Sequence, residues 1–270
     1  PPFAGALRES GRILVNSPLH EENGVYRMEP AEDMERRIVE NNVKVFLLCS
    51  PHNPVGRVWT RQELETVNEI CLRRGVVVIS DEIHADFTFP GHPHTVFASL
   101  SKEAEQNCVV CTAPSKTFNL AGLQTSNLFV PNPALREQLR ALLDRLHYGA
   151  PNLAGITACM AAYQGGAPWL DELIEYLAGN VSLVRSFLQE RLPQLRLVEP
   201  EGTYLLWIDC RGLGLTEEGL ADLLTNRARL WVNEGVMFGP GGEGFIRVNI
   251  ACPRSVLQEA LNRLAEAVGK

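Results

Sequence analysis

The chain has 270 residues, 45% hydrophobic and 21% charged, with a net charge of -7 and a pI near 5.5. That is ordinary globular composition, enough for one large domain or two unequal ones. The acidic balance with no Lys/Arg-rich block speaks against nucleic-acid partners, and no apolar run approaches the roughly 18 residues needed to cross a bilayer.

In chain order, "VKVFLLC" (43 to 49) is a continuous apolar run that predicts a strand covered on both faces. The turn-rich "SPHNPVGRVW" follows. Thr60 with Glu63 three residues on is a capping box, so a helix starts there, runs to Arg74 and stops at Gly75. "VVVIS" (76 to 80), "NCVVCTA" (107 to 113) and "SNLFV" (126 to 130) read as further strands. Short apolar runs alternating with a helical pattern predict a largely parallel sheet in an α/β layer fold. Pro133 suits the first turn of a helix whose Leu135, Leu139, Leu142, Leu143 and Leu146 share one side. After a Gly/Ala-rich stretch, a long helical pattern runs from about Pro168 to Arg191, with Trp169, Leu173, Leu177, Val181, Val184 and Leu188 at helical spacing. Beyond it come strands "TYLLWID" and "FIRVNIA" with helices near 216 to 227 and 254 to 268. The expected organisation is a large domain over 1–167, and a connector helix with a smaller α+β domain over 168–270.

The seven cysteines are odd in number, and Cys49, Cys71, Cys108, Cys111 and Cys159 sit in apolar segments. Free buried thiols in a reducing cytosol are expected. Cys108 and Cys111 have metal-like spacing, but a strand sends positions i and i+3 to opposite faces. His20, His52, His92, His94 and His147 lack ligand-like spacing, so no metal site is expected; His92 and His94, in a Pro/Gly loop, are expected to be solvated. "GPGGEG" (239 to 244) precedes a strand rather than a helix and reads as a mobile loop, not a phosphate cradle.

Three polar residues occupy equivalent places. Asn53 follows the first predicted strand, Asp81 ends the second, and Lys116 follows the third. All three fall at the carboxyl edge of a parallel sheet, where open α/β sheets bind ligands. Singly, Asn53 before Pro54 is a turn residue, Asp81 a strand-end carboxylate and Lys116 a surface lysine. Together they match the needs of pyridoxal phosphate: an amine to form a Schiff base, a carboxylate to keep the ring nitrogen protonated, and an amide to donate to the ring hydroxyl oxygen.

The segments "SPHNPVGRVWT", "SDEIHADF", "APSKTFNLAGLQTSN" and "GFIRVNIACP" resemble the fold-type I pyridoxal phosphate enzymes of the class I/II aminotransferase superfamily, and within it the cystathionine β-lyase/cysteine-S-conjugate β-lyase branch. The resemblance implies that Lys116 carries the cofactor and serves as acid/base, that Asp81 pairs with the ring nitrogen, and that Asn53 meets the ring hydroxyl oxygen across a cis bond to Pro54. It also implies that His84 stands near that oxygen, that Ser115 touches the phosphate, and that Arg247, with Asn53, grips the substrate carboxylate. Two positions depart from the family pattern: Gln124 stands where many members have a phosphate-binding arginine, and Ala113 where many have serine. The family's glycine-rich phosphate loop and ring-stacking aromatic have no counterpart before Asn53, and the chain begins Pro1-Pro2-Phe3, so the large domain is expected to be incomplete at its N-terminus. The implied activity is β-elimination of a cysteine thioether to thiol, pyruvate and ammonia by a cytoplasmic homodimer. The alternatives are an aminotransferase and a truncated, non-catalytic module that binds a partner.

Overall fold

The computed structural model describes residues 2–149 and 151–269. It opens with helix α1 (Pro2–Glu9), the hairpin β1 (His20–Glu22) and β2 (Val25–Arg27), and helix α2 (Ala31–Glu40). Then come β3 (Val45–Cys49), α3 (Arg61–Arg74), β4 (Val77–Asp81), α4 (Lys102–Gln106), β5 (Cys108–Thr112), the single-turn α5 (Pro114–Thr117) and β6 (Asn127–Phe129). Three helices follow: α6 (Pro133–Arg145), α7 (Leu153–Gly165) and α8 (Ala167–Arg191). The chain closes with β7 (Arg196–Leu197), β8 (Leu205–Asp209), α9 (Glu217–Asp222), β9 (Asn233–Glu234), β10 (Phe245–Asn249) and α10 (Arg254–Val268).

The first sheet has the order β3-β4-β5-β6, with β3, β4 and β5 parallel and β6 antiparallel. The helix between β3 and β4 starts where the capping box puts it. Thr60 accepts from the Glu63 amide, the Glu63 carboxylate accepts from the Thr60 amide, and Gly75 ends the helix in the left-handed region at φ 64°. Leu64, Val67, Ile70 and Cys71 of α3 bury against Met34 and Ile38 of α2 and against Val78 and Val110 of the sheet. β3 departs from its expected double cover. It is the sheet's edge strand, so Val45 is 45% exposed while Leu48 is buried.

The second sheet, β7-β8-β10-β9, is antiparallel throughout. Leu177, Val181, Val184 and Leu188 of α8 and Leu257, Leu261 and Leu264 of α10 pack with Leu206, Ile208 and Ile246 of this sheet, and the whole of β8 is buried. No described helix is long and apolar enough to cross a membrane. The segment read as a Gly/Ala-rich stretch is helix α7, capped by Asn152, whose side chain accepts from the Gly155 amide. The leucine side of α6 forms as predicted but is not buried: Leu142 and Leu146 are exposed.

A third cluster packs Tyr26 of β2 and Val55 of the loop after β3 with Val198, Trp207 and Phe245 at the second sheet. Beside it the buried Arg57 guanidinium donates to Glu201 at 2.9 Å, to Glu63 at 3.0 Å and to the Tyr26 carbonyl, with its face 4.8 Å from the Trp59 ring centre. The two carboxylates offset the desolvation of this cation. Glu201 also accepts from the Val58 amide at 2.8 Å. Gly56, at φ 72°, brings its carbonyl to the Glu201 and Gly202 amides; a Cβ there would meet Pro200 at 3.1 Å. The loop after β3 is thus fixed to the second sheet, which sets the position of Asn53.

Candidate active site

Three strand ends build the floor of the site. Cys49, Asp81 and Cys111 are register partners across β3, β4 and β5, so a carboxylate sits between two thiols on one face of the sheet. Burial is the main influence on Asp81 and raises its pKa; the Ile83 amide, donating at 3.2 Å, and the nearby Lys116 charge pull the other way. Burial pushes the Cys49 thiol up to about 12 and the Cys111 thiol to about 11, so neither is a thiolate near neutrality. Cys108, on the opposite face of β5, is buried in the first core.

Lys116 lies in α5, directly beyond β5, and is exposed. Pro114 starts this turn and Ala113 precedes it in extended backbone. Next to the lysine, buried Thr117 donates to Asp86 at 2.7 Å, tying the lysine turn to the loop after β4. Ser115 is half-buried, and its carbonyl accepts from the Leu120 amide. Phe118 packs edge-on to Tyr163 of α7, with ring centres 5.9 Å apart. Gln124 ends the following turn in the left-handed region at φ 50°.

His84 is buried on the loop after β4, edge-on to Tyr204 with ring centres 5.6 Å apart. Burial, then the Lys116 and Arg247 charges, push its pKa down to about 4, so the ring is neutral at pH 7. Its Nδ1 is buried without a hydrogen-bond partner.

Arg247 comes from β10 and reaches back over the first sheet. Its Nη1 donates to Asn53 Oδ1 at 2.8 Å, and its Nη2 to Asn233 Oδ1 at 2.6 Å. Its face lies 4.8 Å from the Phe238 ring centre, and its Nε is buried without a partner. Burial lowers its pKa, yet no carboxylate among the described residues forms an ion pair with it. The Asn53–Pro54 bond is cis, as the family resemblance implies.

Asn53, Asp81, His84, Lys116 and Arg247 therefore converge from two sheets. A neutral buried imidazole with an open nitrogen, a desolvated carboxylate, an accessible amine and a half-buried cation lacking a counter-ion suit a polar ring and an anionic ligand. These groups fit the ring end of pyridoxal phosphate. For the phosphate, the described residues nearest the lysine offer the Ser115 hydroxyl.

Some expectations need correction. His94 is not solvated: its Nε2 lies 2.8 Å from Glu82 Oε2, and its side chain is only 9% exposed. Glu82, next to Asp81, also accepts from the Ser80 hydroxyl and the Phe97 amide, both at 2.9 Å. Its carboxylate is buried because three donors meet it, which no residue spacing reveals. The 239 to 244 loop is tied rather than free. The Gly244 amide donates to Glu217 at 2.7 Å, and a Cβ on Gly242 would lie 2.0 Å from the Gly235 carbonyl oxygen. Asn233, Tyr204 and the Thr117–Asp86 contact carry no sequence motif of their own. Only their position beside motif residues on folding marks them.

Burial of His52, next to Asn53, has a testable consequence for stability. His52 stands edge-on to Trp59 at 5.7 Å, and burial pushes its pKa to about 4. The unfolded chain takes up a proton on this histidine near pH 6.5 while the folded one does not. Its contribution is therefore intact above about pH 6.5 and lost as the pH falls toward 4, about 3 kcal/mol when complete. Replacing His52 with Phe should flatten the fall of the urea midpoint between pH 6.5 and 4.5. An equal fall in variant and wild type would show that His52 is protonated in the native state.

Residues 3–264 match the family described as aminotransferase class I and II. Cystathionine beta-lyase PatB of Bacillus subtilis (strain 168) is 41% identical over 267 residues, 99% of this chain and 69% of PatB. Protein MalY of Escherichia coli (strain K12) is 36% identical over 236 residues, 87% of this chain and 60% of MalY. The crystal structure of cystalysin from Treponema denticola, which contains a pyridoxal 5'-phosphate cofactor, matches with a TM-score of 0.96 at 37% identity, covering 99% of this chain and 68% of cystalysin. The chain spans 60 to 69% of the length of these three relatives. A strand-end Asn, Asp and Lys beneath an arginine from a second sheet sit within a match over nearly the whole chain, and the chain belongs to the aminotransferase class I and II family.

Proposed function

We infer that this chain catalyses pyridoxal 5'-phosphate-dependent β-elimination of a cysteine thioether, cystathionine or an S-conjugate, to a thiol, pyruvate and ammonia. The observation that carries this is the meeting of Asn53, Asp81 and Lys116 at one sheet edge with Arg247 held over Asn53 at 2.8 Å. The relative named as a cystathionine beta-lyase favours elimination over transamination.

When bound, pyridoxal phosphate supplies an electron sink for the bond broken at the substrate α-carbon. The chain's own groups do the rest. Lys116 would hold the cofactor, and its amine would take the α-proton. Asp81, whose burial works against its ionisation, would hold the proton on the ring nitrogen when the cofactor is bound. Asn53 gives its oxygen to Arg247, so its Nδ2 would remain a donor for the ring hydroxyl oxygen, and neutral His84 lies near the Lys116 and Arg247 charges. Ser115 is the candidate phosphate contact. Arg247 binds the substrate carboxylate, a charge-assisted contact made stronger by its lack of a counter-ion. The Cβ–S bond then breaks with its electron pair on sulfur, and the thiolate takes up a proton. Water hydrolyses the resulting enamine to pyruvate and ammonia.

The wider reading is a large unit over 1–167 and a connector helix with a small unit over 168–270, supported by the packing of α8 onto the second sheet. A homodimer is supported by the exposed leucines of α6, and a cytoplasmic setting by seven free cysteines. Incubating the pyridoxal phosphate-loaded protein with L-cystathionine, without a keto acid, should release thiol and pyruvate in equal amounts. A strict requirement for a 2-keto acid would make it an aminotransferase. A protein that stays colourless with added cofactor and turns over nothing would be a non-catalytic module.

A further inference from the structure

We propose that Asn233 is a positioning residue for the substrate α-carboxylate: with Asn53 it fixes the Arg247 fork through neutral oxygens and leaves the guanidinium charge uncancelled. This rests on the reading of Arg247 as the carboxylate grip.

Asn233 and Arg247 are register partners of β9 and β10, so their side chains share a face of the second sheet. The Asn233 amide is oriented from both ends. Its oxygen takes the Arg247 Nη2 proton at 2.6 Å, while its Nδ2 faces the Met237 sulfur at 3.8 Å. Because a guanidinium can only donate, the oxygen must point to Arg247. The two Nη atoms are thus each held by one amide, Asn53 in the loop after β3 and Asn233 in the second sheet.

The choice of amides matters for charge. A carboxylate in either place would form a close ion pair with the half-buried guanidinium and occupy the attraction that a substrate anion needs. An amide oxygen supplies direction without a net charge. The groups facing this cation are neutral His84, Tyr204 and the Phe238 ring, and none is an anion at pH 7. Asn233 therefore governs how tightly an amino-acid carboxylate binds, and acts on chemistry at Cα only through that grip.

The test uses the holoenzyme and two probes, L-alanine, which has no β leaving group, and L-alaninamide, whose carboxylate is replaced by a neutral amide. Each is titrated against wild type, Asn233→Asp, Asn233→Ala and Arg247→Ala, following the visible absorbance of the cofactor; KM and kcat for L-cystathionine are measured alongside. Wild type should bind L-alanine at least about tenfold more tightly than L-alaninamide, as a charged hydrogen-bonded contact implies. Asn233→Asp should erase that preference, and Asn233→Ala should cut it about tenfold. The loss with cystathionine should fall on KM more than on kcat. Affinity for L-alaninamide should hold in both variants, which a merely damaged fold would not allow. If wild type has the preference and Arg247→Ala loses it, but both Asn233 variants keep it, the role of Asn233 is overturned while Arg247 stands. If wild type has no preference, the carboxylate reading of Arg247 falls first, and this proposal with it.

Discussion

Replacing Lys116 with alanine is expected to lower kcat by about 10⁴-fold, the upper range for loss of a positioned acid/base, and to abolish covalent retention of the cofactor after borohydride reduction. Two jobs converge on this amine, so the loss should exceed that of any other single substitution at the site. The structure also says what should not change. Lys116 is exposed, sits in a four-residue turn and forms no ion pair among the described residues. Surface substitutions of that kind usually move stability by no more than about 0.5 kcal/mol. The turn is held instead by Pro114 at its start and by Thr117 donating to Asp86. Compared without cofactor, the variant should thus keep the wild-type urea midpoint, while the loaded variant loses turnover; added methylamine should restore part of the α-proton removal. A Lys116→Ala protein with more than a tenth of wild-type kcat would end the assignment.

Much of the first sheet was legible because its signals are local. Thr60 and Glu63 mark a helix start within one turn, Gly75 marks its end, and runs of Val, Ile and Cys mark strands whose ends carry Asp81 and Lys116. Parallel connection then forces those ends onto one edge. What stayed hidden was non-local or lacked a period. α7, "LAGITACMAAYQG", is small and apolar all round, so no stripe distinguishes it from a flexible stretch. The cover of β3 depends on its place at the sheet edge, which its own residues do not encode. Arg247 was found by motif, but its partners lie far along the chain or on a strand of two residues: Asn53 is 194 positions away and Asn233 lies in β9. Buried Glu82 looked like half of a strand-end acidic pair until Ser80, His94 and the Phe97 amide closed around it.

That buried neighbour bears on the second large effect. Replacing Asp81 with Asn should lower kcat by about 10²- to 10³-fold, the range for removing one preorganised electrostatic contact from an active site. It should do so without destabilising the cofactor-free protein. Asp81 is held between two thiols that are themselves protonated, and its burial outweighs the Ile83 amide and the Lys116 charge. Its folded pKa is therefore raised. For a carboxylate this means that ionisation costs the folded state: the cost is absent at low pH, grows as the pH rises through the ordinary carboxylate range and the raised value, and is complete above it. The Asn variant lacks that cost, so its cofactor-free form should unfold at equal or higher urea than wild type at pH 7, and the difference should vanish near pH 3. Glu82 keeps its own three contacts in the variant, so the strand end stays in place. Adding cofactor should reverse the order, because stabilisation by a ligand scales with its affinity and the ring-nitrogen contact is gone. A carboxylate retained at a cost to the empty protein and recovered only on loading is what a ring-nitrogen partner requires. If Asp81→Asn unfolds earlier than wild type without cofactor and keeps its kcat, Asp81 is a structural strand end and the proton on the ring must be held elsewhere.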